Sequence, residues 1–277
     1  MTIDSHQHFW RYDPVRDDWI TNEMAVLRRD FLPEHLMAEL IENQVDGCVA
    51  VQANQSEQET MFLLDLAREC NFILGVVGWV DLRSDRLPER LEYFSQFPKL
   101  RGFRHIAQAE SDERFLLGSD FLRGIGQLHR LGFTYDILIY ARQLPAAAEM
   151  VALFPAQKFV VDHIAKPQIR GKEIAGWERD IRRLAGLPNV ECKLSGLVTE
   201  ADWKEWRAAD FKPYLDVVFD CFGTDRLMFG SDWPVCLLAG GYGRAKHMIG
   251  EYTKELPQSE KEKIFYRNAA RFYELRA

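Results

Sequence analysis

His6 and His8 stand two residues apart near the start of the chain, and Asp232 lies far downstream in the string FGSDWP. Side chains alternate along a strand, so D-x-H-x-H would set Asp4, His6 and His8 on one face. Two imidazoles aimed into one space can bind a metal or handle protons. The alternative, structural histidines held by backbone groups, suits a lone histidine better than a pair at a strand end. Asp232 follows an apolar run and precedes Trp-Pro, a place where aspartate often closes an Asx-turn. Beside the histidine pair it would instead be a base or a ligand.

VVDHIAKP at 160–167 adds His163 and Lys166, whose alternative is a satisfied core histidine and a surface lysine. Arg104 and His105 are adjacent, so only one can face inward. Arg104 is the better group for gripping a substrate oxygen, against a purely structural ion pair. Lys193 ends another apolar run. His35 and His129 lie in helical stretches and His247 in the last connection, where packing or surface roles are expected.

These residues gain meaning from the elements that would hold them. Eight short apolar runs recur at 2–6, 47–52, 73–80, 100–106, 133–140, 158–163, 190–194 and 227–231. Their richness in Val, Ile, Phe and Leu suits strands buried on both faces. Ser56 with Glu59 forms a capping box opening a helix, and Ser119 opens another that Gly132 can end. Ser259 with Glu262 starts a last helix carrying Ile264, Phe265, Ala269, Phe272 and Tyr273 along one stripe. Eight strand–helix units predict an α/β fold, a single-domain (β/α)8 TIM-type barrel over 1–277, with 9–32 as a loop over its mouth. A doubly wound sheet is disfavoured because no Gly-rich phosphate loop follows the first strand. In such a barrel the first and eighth strands meet, which would bring His6 and His8 to Asp232.

A net charge of -7 with no compensating basic cluster speaks against nucleic acid and anionic membrane as partners. The chain runs straight into Asp4, His6 and His8 and contains no bilayer-length apolar segment, so a cytoplasmic location is expected. Cys48, Cys70, Cys192, Cys221 and Cys236 are scattered and never in C-x-x-C, as expected of reduced thiols.

The strings IDSHQHFW (3–10), GFRHIAQ (102–108), DERFLLGSDFLRGI (112–125), VVDHIAKP, KLSGL (193–197) and FGSDWPV (229–235) resemble the amidohydrolase superfamily. More narrowly, they are similar to its L-fuconolactonase-like branch of sugar-acid lactonases, nearly end to end. Metal-dependent relatives usually add a carbamylated Lys or a Glu from strand four and histidines from strands five and six. Here strand four offers Arg104 and His105, and FTYDILIY has no histidine. The resemblance therefore implies hydrolysis of a sugar lactone with no metal required. One weakly held Zn²⁺ could still sit on His6, His8, His163 and Asp232.

Opening a lactone requires an activated water, a polarised carbonyl and a protonated leaving oxygen. Asp232 suits the base, while His6, His8 and His163 suit the carbonyl oxygen, with Arg104 or Lys193 adding charge. Gln52, Gln108, Tyr140 and Lys166 could read sugar hydroxyls, and Trp10 and Trp233 could pack the ring's apolar face. Trp79 is better suited to the core. The rival readings are a metal-dependent amidohydrolase or decarboxylase of the same superfamily and a non-catalytic sugar-acid binding protein. The oligomeric state is left open.

Overall fold

The computed structural model describes residues 1–276. Its eight strands are β1 (Ile3–Gln7), β2 (Gly47–Val51), β3 (Ile73–Gly78), β4 (Leu100–His105), β5 (Thr134–Ile137), β6 (Phe159–Val161), β7 (Val190–Leu194) and β8 (Leu227–Phe229). They form one parallel sheet in sequence order. Gln7 bridges Trp233, His8 N–H donates to Trp233 O at 2.7 Å, and Asp232 N–H donates to His6 O at 2.8 Å. These bonds close the sheet on itself, giving the (β/α)8 barrel expected from the alternating runs.

Each strand leads to a helix: α1 (Pro33–Glu42), α2 (Glu57–Glu69), α3 (Leu87–Phe94), α4 (Ser119–Leu128), α5 (Leu144–Leu153), α6 (Ala175–Ala185), α7 (Ala208–Phe222) and α8 (Tyr242–Tyr252). Ser56 caps α2 by accepting from Glu59 N–H at 3.1 Å. Glu59 does not complete the box, because its carboxylate accepts from Ala53 N–H and Asn54 N–H instead. It thus ties the β2–α2 loop rather than the helix end. Gly132 takes the expected left-handed conformation after α4 and its trailing 3-10 turn.

The last helix is interrupted by a π-turn, with α9 (Gln258–Glu262) before it and α10 (Asn268–Phe272) after it. Ala269, Phe272 and Tyr273 pack with Ile3, Val49, Val51, Val77, Val160 and Met228. This segment therefore plugs the floor of the barrel, at the N-terminal ends of the strands. A larger apolar cluster fills the space between strands and helices. All five cysteines are free thiols.

Three local departures from the sequence pattern matter. Strands β5, β6 and β8 are shorter than their apolar runs, so His163 and Asp232 lie on turns just beyond the ladder. His163, Ile164, Ala165 and Lys166 all have φ between +47° and +58°, and Asp232 has φ +57°. A left-handed backbone cannot continue a β ladder, which is why the β6 pairing ends before His163. The expectation that Asp4 shares a face with His6 and His8 fails. A bulge sets three steps of β1 (Asp4 to Gln7) against two of β2 (Cys48 to Ala50), which turns Asp4 away from the barrel axis.

Candidate active site

Asp4, displaced by the bulge, stitches the seam from behind. Its carboxylate accepts from Ser231 N–H at 2.9 Å, Ser231 Oγ at 2.6 Å and Tyr242 OH at 3.0 Å. The Ser231 hydroxyl in turn accepts from Trp233 N–H at 2.9 Å. These bonds fix the turn on which Asp232 is presented. Burial pushes Asp4 up to about 6, against the hydrogen bonds from Ser231 that favour its charged form.

Inside the barrel mouth, Asp232 Oδ1 lies 3.4 Å from His8 Nε2, 3.8 Å from His6 Nε2 and 3.9 Å from His163 Nε2. The two ends of the chain and β6 thus converge on one carboxylate oxygen, as the strand order required. Burial alone would raise Asp232, but His163, His8 and His6 together hold it well below the usual carboxylate range. Burial lowers His163 to about 4 and also pushes His6 well below the usual histidine value, although Asp232 and Asp162 respectively pull the other way. At neutral pH the cluster is an anionic carboxylate ringed by His6 and His163 as neutral imidazoles.

The outer nitrogens decide what each imidazole presents. His8 Nδ1 lies 2.8 Å from Val51 O, a pure acceptor, so Nδ1 carries a proton and Nε2 is the nitrogen turned toward Asp232. His163 Nδ1 pairs with Ser195 Oγ at 2.9 Å. Gly196 makes that contact possible: it sits at φ +64°, and a Cβ there would collide with the His163 ring. His6 Nδ1 faces Lys193 Nζ at 3.1 Å and Asp162 Oδ1 at 3.3 Å, and its Nε2 faces Arg104 Nη1 at 3.3 Å.

Beneath these rings lies an ionic layer that sequence reasoning only half found. Lys193, wholly buried, contacts Asp136 Oδ2 at 2.5 Å and Asp162 Oδ1 at 3.1 Å. Arg104 reaches Asp162 Oδ2 at 3.0 Å and donates to Gln52 O. Tyr273 OH, from the floor plug, donates to Asp136 Oδ2 at 2.7 Å. Burial would raise Asp162, but Lys193, His6 and Arg104 hold it well below the usual range. Asp136 and Asp162 escaped notice because each interrupts an apolar run only once. The available signal was that a carboxylate inside a doubly buried strand must have a buried cation to face it.

A cavity of about 500 Å³ opens above the cluster. His8, Arg104, His163 and Asp232 line it together with the expected Trp10, Gln108, Tyr140 and Lys166. Trp19, Met24, Trp203 and Glu200 also line it, and the sequence pattern had not marked them. Three expected substrate contacts are corrected. Lys193 lies below the cavity, inside the ionic layer. Gln52 is buried and donates to Arg104 O at 3.0 Å, so it braces β4 instead of facing the cavity. Trp233 packs edge-on against Phe31 at 5.2 Å and Phe9 at 6.1 Å, in the apolar core. Arg104 is the inward member of its pair, while His105 stacks on Phe115 outside the sheet and contacts Glu110 at 2.7 Å. Trp79, expected in the core, is half-buried, and its Nε1 approaches His105 Nδ1 at 3.4 Å.

His6, His8 and Asp232 also form a possible metal-binding group. Donors tetrahedrally placed about 2.0–2.1 Å from Zn²⁺ stand about 3.3–3.4 Å apart. The separations of 3.2 Å between His6 Nε2 and His8 Nε2 and 3.4 Å from His8 Nε2 to Asp232 Oδ1 fit that geometry.

A family model described as amidohydrolase matches residues 3–275. The chain belongs to the amidohydrolase family. It is a hydrolase, with the barrel that its fold already showed. An L-fucono-1,5-lactonase of Burkholderia multivorans is 43% identical over 99% of this chain and 96% of its own length. A second L-fucono-1,5-lactonase, from Burkholderia ambifaria, is 36% identical over 87% of this chain and 83% of its own. A crystal structure of an amidohydrolase from Burkholderia multivorans with bound Zn superposes with a TM-score of 0.95. That chain is 43% identical, with full coverage of both. No helix among the described residues is long and apolar enough to cross a membrane.

Proposed function

We propose that this amidohydrolase opens a sugar-acid lactone, L-fuconolactone or a related aldonolactone, to the free aldonic acid. The observation that carries the reading is the Asp232 carboxylate held anionic among three imidazoles at the foot of a cavity that suits a small molecule. The two lactonase relatives support the substrate class. The whole chain acts as one domain, with 9–32 contributing Trp10, Trp19 and Met24 to the cavity roof.

In this mechanism Asp232 takes a proton from water as the water attacks the lactone carbonyl carbon. The same carboxyl group then returns the proton to the ring oxygen as the acyl–oxygen bond breaks. Arg104 supplies fixed positive charge for the developing oxyanion, a role that needs no protonation step. His163 can donate through Nε2 when Ser195 donates to its Nδ1. His8 is oriented by its Nδ1–H bond to Val51 O, which turns Nε2 toward Asp232 and the cavity. Lys166, Gln108 and Tyr140 contact the sugar hydroxyls, and Trp10 packs its apolar face.

His6, His8 and Asp232, with His163 nearby, would hold a Zn²⁺ ion that, when bound, polarises the carbonyl. The reaction does not require it in our reading. Arg104 already sets a fixed cation 3.3 Å from His6 Nε2, so positive charge for the oxyanion is present without a metal. A chelator should therefore leave most of the activity on L-fuconolactone in place. Loss of the rate, with recovery on adding Zn²⁺, overturns this part of the reading. Asp232→Asn should fold and lose about 100- to 10,000-fold in kcat/KM, followed with a pH indicator. A variant keeping most of its activity would falsify the assigned base.

A further inference from the structure

Glu200 ends the short turn after β7 (Val198–Glu200), and its carboxylate lines the same cavity as Asp232. Among the described residues its charged partner is Lys166, whose Nζ lies 3.8 Å away. That gap is wider than a hydrogen bond, which ends near about 3.2 Å for N–H···O. Burial raises the Glu200 pKa, Lys166 opposes that rise and Asp232 adds to it, so two carboxylates act on one enclosed space. Lys166 reaches the cavity from the end of the left-handed turn that also presents His163, with its N–H donating to His163 O at 2.8 Å. Four non-glycine residues in that conformation are costly, and together they place an imidazole and an ammonium on one wall.

A carboxylate only accepts and an ammonium only donates, whereas a hydroxyl does both. An alcohol between the two can donate to Glu200 and accept from Lys166, which satisfies both ends of the gap. A methyl group, a ring CH or a second carboxylate cannot. Much of the surrounding wall is apolar, including Trp19, Leu138, Trp203 and Leu238, and away from the Asp232 cluster Gln108, Tyr140 and Thr199 are the other polar side chains that can orient a polyol. The buried Oε1 of Gln108 has no protein partner.

We propose that Glu200 and Lys166 form a subsite that reads one hydroxyl, or two adjacent hydroxyls, of the sugar ring and thereby sets which lactones are opened. The inference rests on the lactonase reading above. The test is a comparison of kcat/KM for L-fuconolactone and for its singly deoxygenated analogues, in the wild type, Glu200→Gln and Lys166→Met. In the wild type, deletion of one hydroxyl, or of either of two neighbours, should cost about 10- to 100-fold, the scale of a hydrogen bond to a charged group. In either variant L-fuconolactone should slow by a similar factor, and the penalty at that same position should shrink to within threefold. Unchanged penalties at every position overturn the subsite, as does an equal loss on all analogues. If Glu200→Gln does not fold, Lys166→Met carries the same comparison. A wild type that opens none of these lactones refutes the lactonase reading, and the inference with it.

Discussion

The mouth and the floor of this barrel are built from the same eight strands, yet they obey different rules. At the floor, Ile3, Val49, Val77, Val160 and Met228 meet Phe272 and Ala269 in an apolar layer closed by the last helix. At the mouth, Asp232 and residues 163–166 hold left-handed conformations, and Arg104 Nε and Gln108 Oε1 have no protein partner. The floor gains stability from each residue that packs there. The mouth holds strained backbone and unspent hydrogen-bonding capacity, the usual signature of a site kept ready for a ligand. The layer of Lys193, Asp136, Asp162 and Arg104 separates the two and touches both.

The sharpest test of this division is whether function and stability can be lost separately. Asp232→Asn, with its large expected loss of activity, should leave the midpoint of thermal unfolding within a few degrees of wild type. A collapse of the fold would show that the mouth is also structural. Lys193→Met should break the division from the middle. It leaves two buried carboxylates short of a cation, at a cost of about 3–5 kcal/mol in urea unfolding. Because Lys193 also touches His6, kcat should fall in the same variant.

Phe272→Ala attacks the floor alone. It should cost about 3–5 kcal/mol, with turnover per folded molecule unchanged within twofold. A large drop in turnover would mean that the plug positions the site directly. The smallest expected effect is on the pH profile. Burial lowers His163 to about 4, so its neutral form is the one the fold favours, and it gains a proton only in acid. The rate constant kcat/KM should stay level down to about pH 5 and decline below it. An acid limb centred near pH 6 would show that protonation of Asp4, pushed up to about 6 behind the turn that presents Asp232, controls the rate instead.

The barrel was legible because parallel strands buried on both faces read as apolar runs, and eight of them followed by helices, with no Gly-rich phosphate loop, favour a barrel over a doubly wound sheet. His6, His8, His163 and Asp232 were legible for the same reason: each lies at the end of such a run. The bulge at Asp4 was not, since a strict two-residue alternation is blind to one extra residue in a strand. Lys193 sat at the right strand but at the wrong height, and sequence carries no signal for depth along the barrel axis. Glu200 lies in a turn without periodicity, where only the fold shows that it faces the cavity.

The seam behind Asp232 has a consequence for how the chain is made. Asp4 and Ser231 are 227 residues apart, so the bonds between them close the barrel across almost the whole sequence. At roughly 5–20 residues per second, translation separates these partners by about 10–45 s. During that interval His6 and His8 have no Asp232 to face, and β1 has no β8 beside it. A nascent chain of this protein is therefore an open, edge-bearing sheet without hydrolytic chemistry. It becomes an enzyme only when the eighth strand reaches the first.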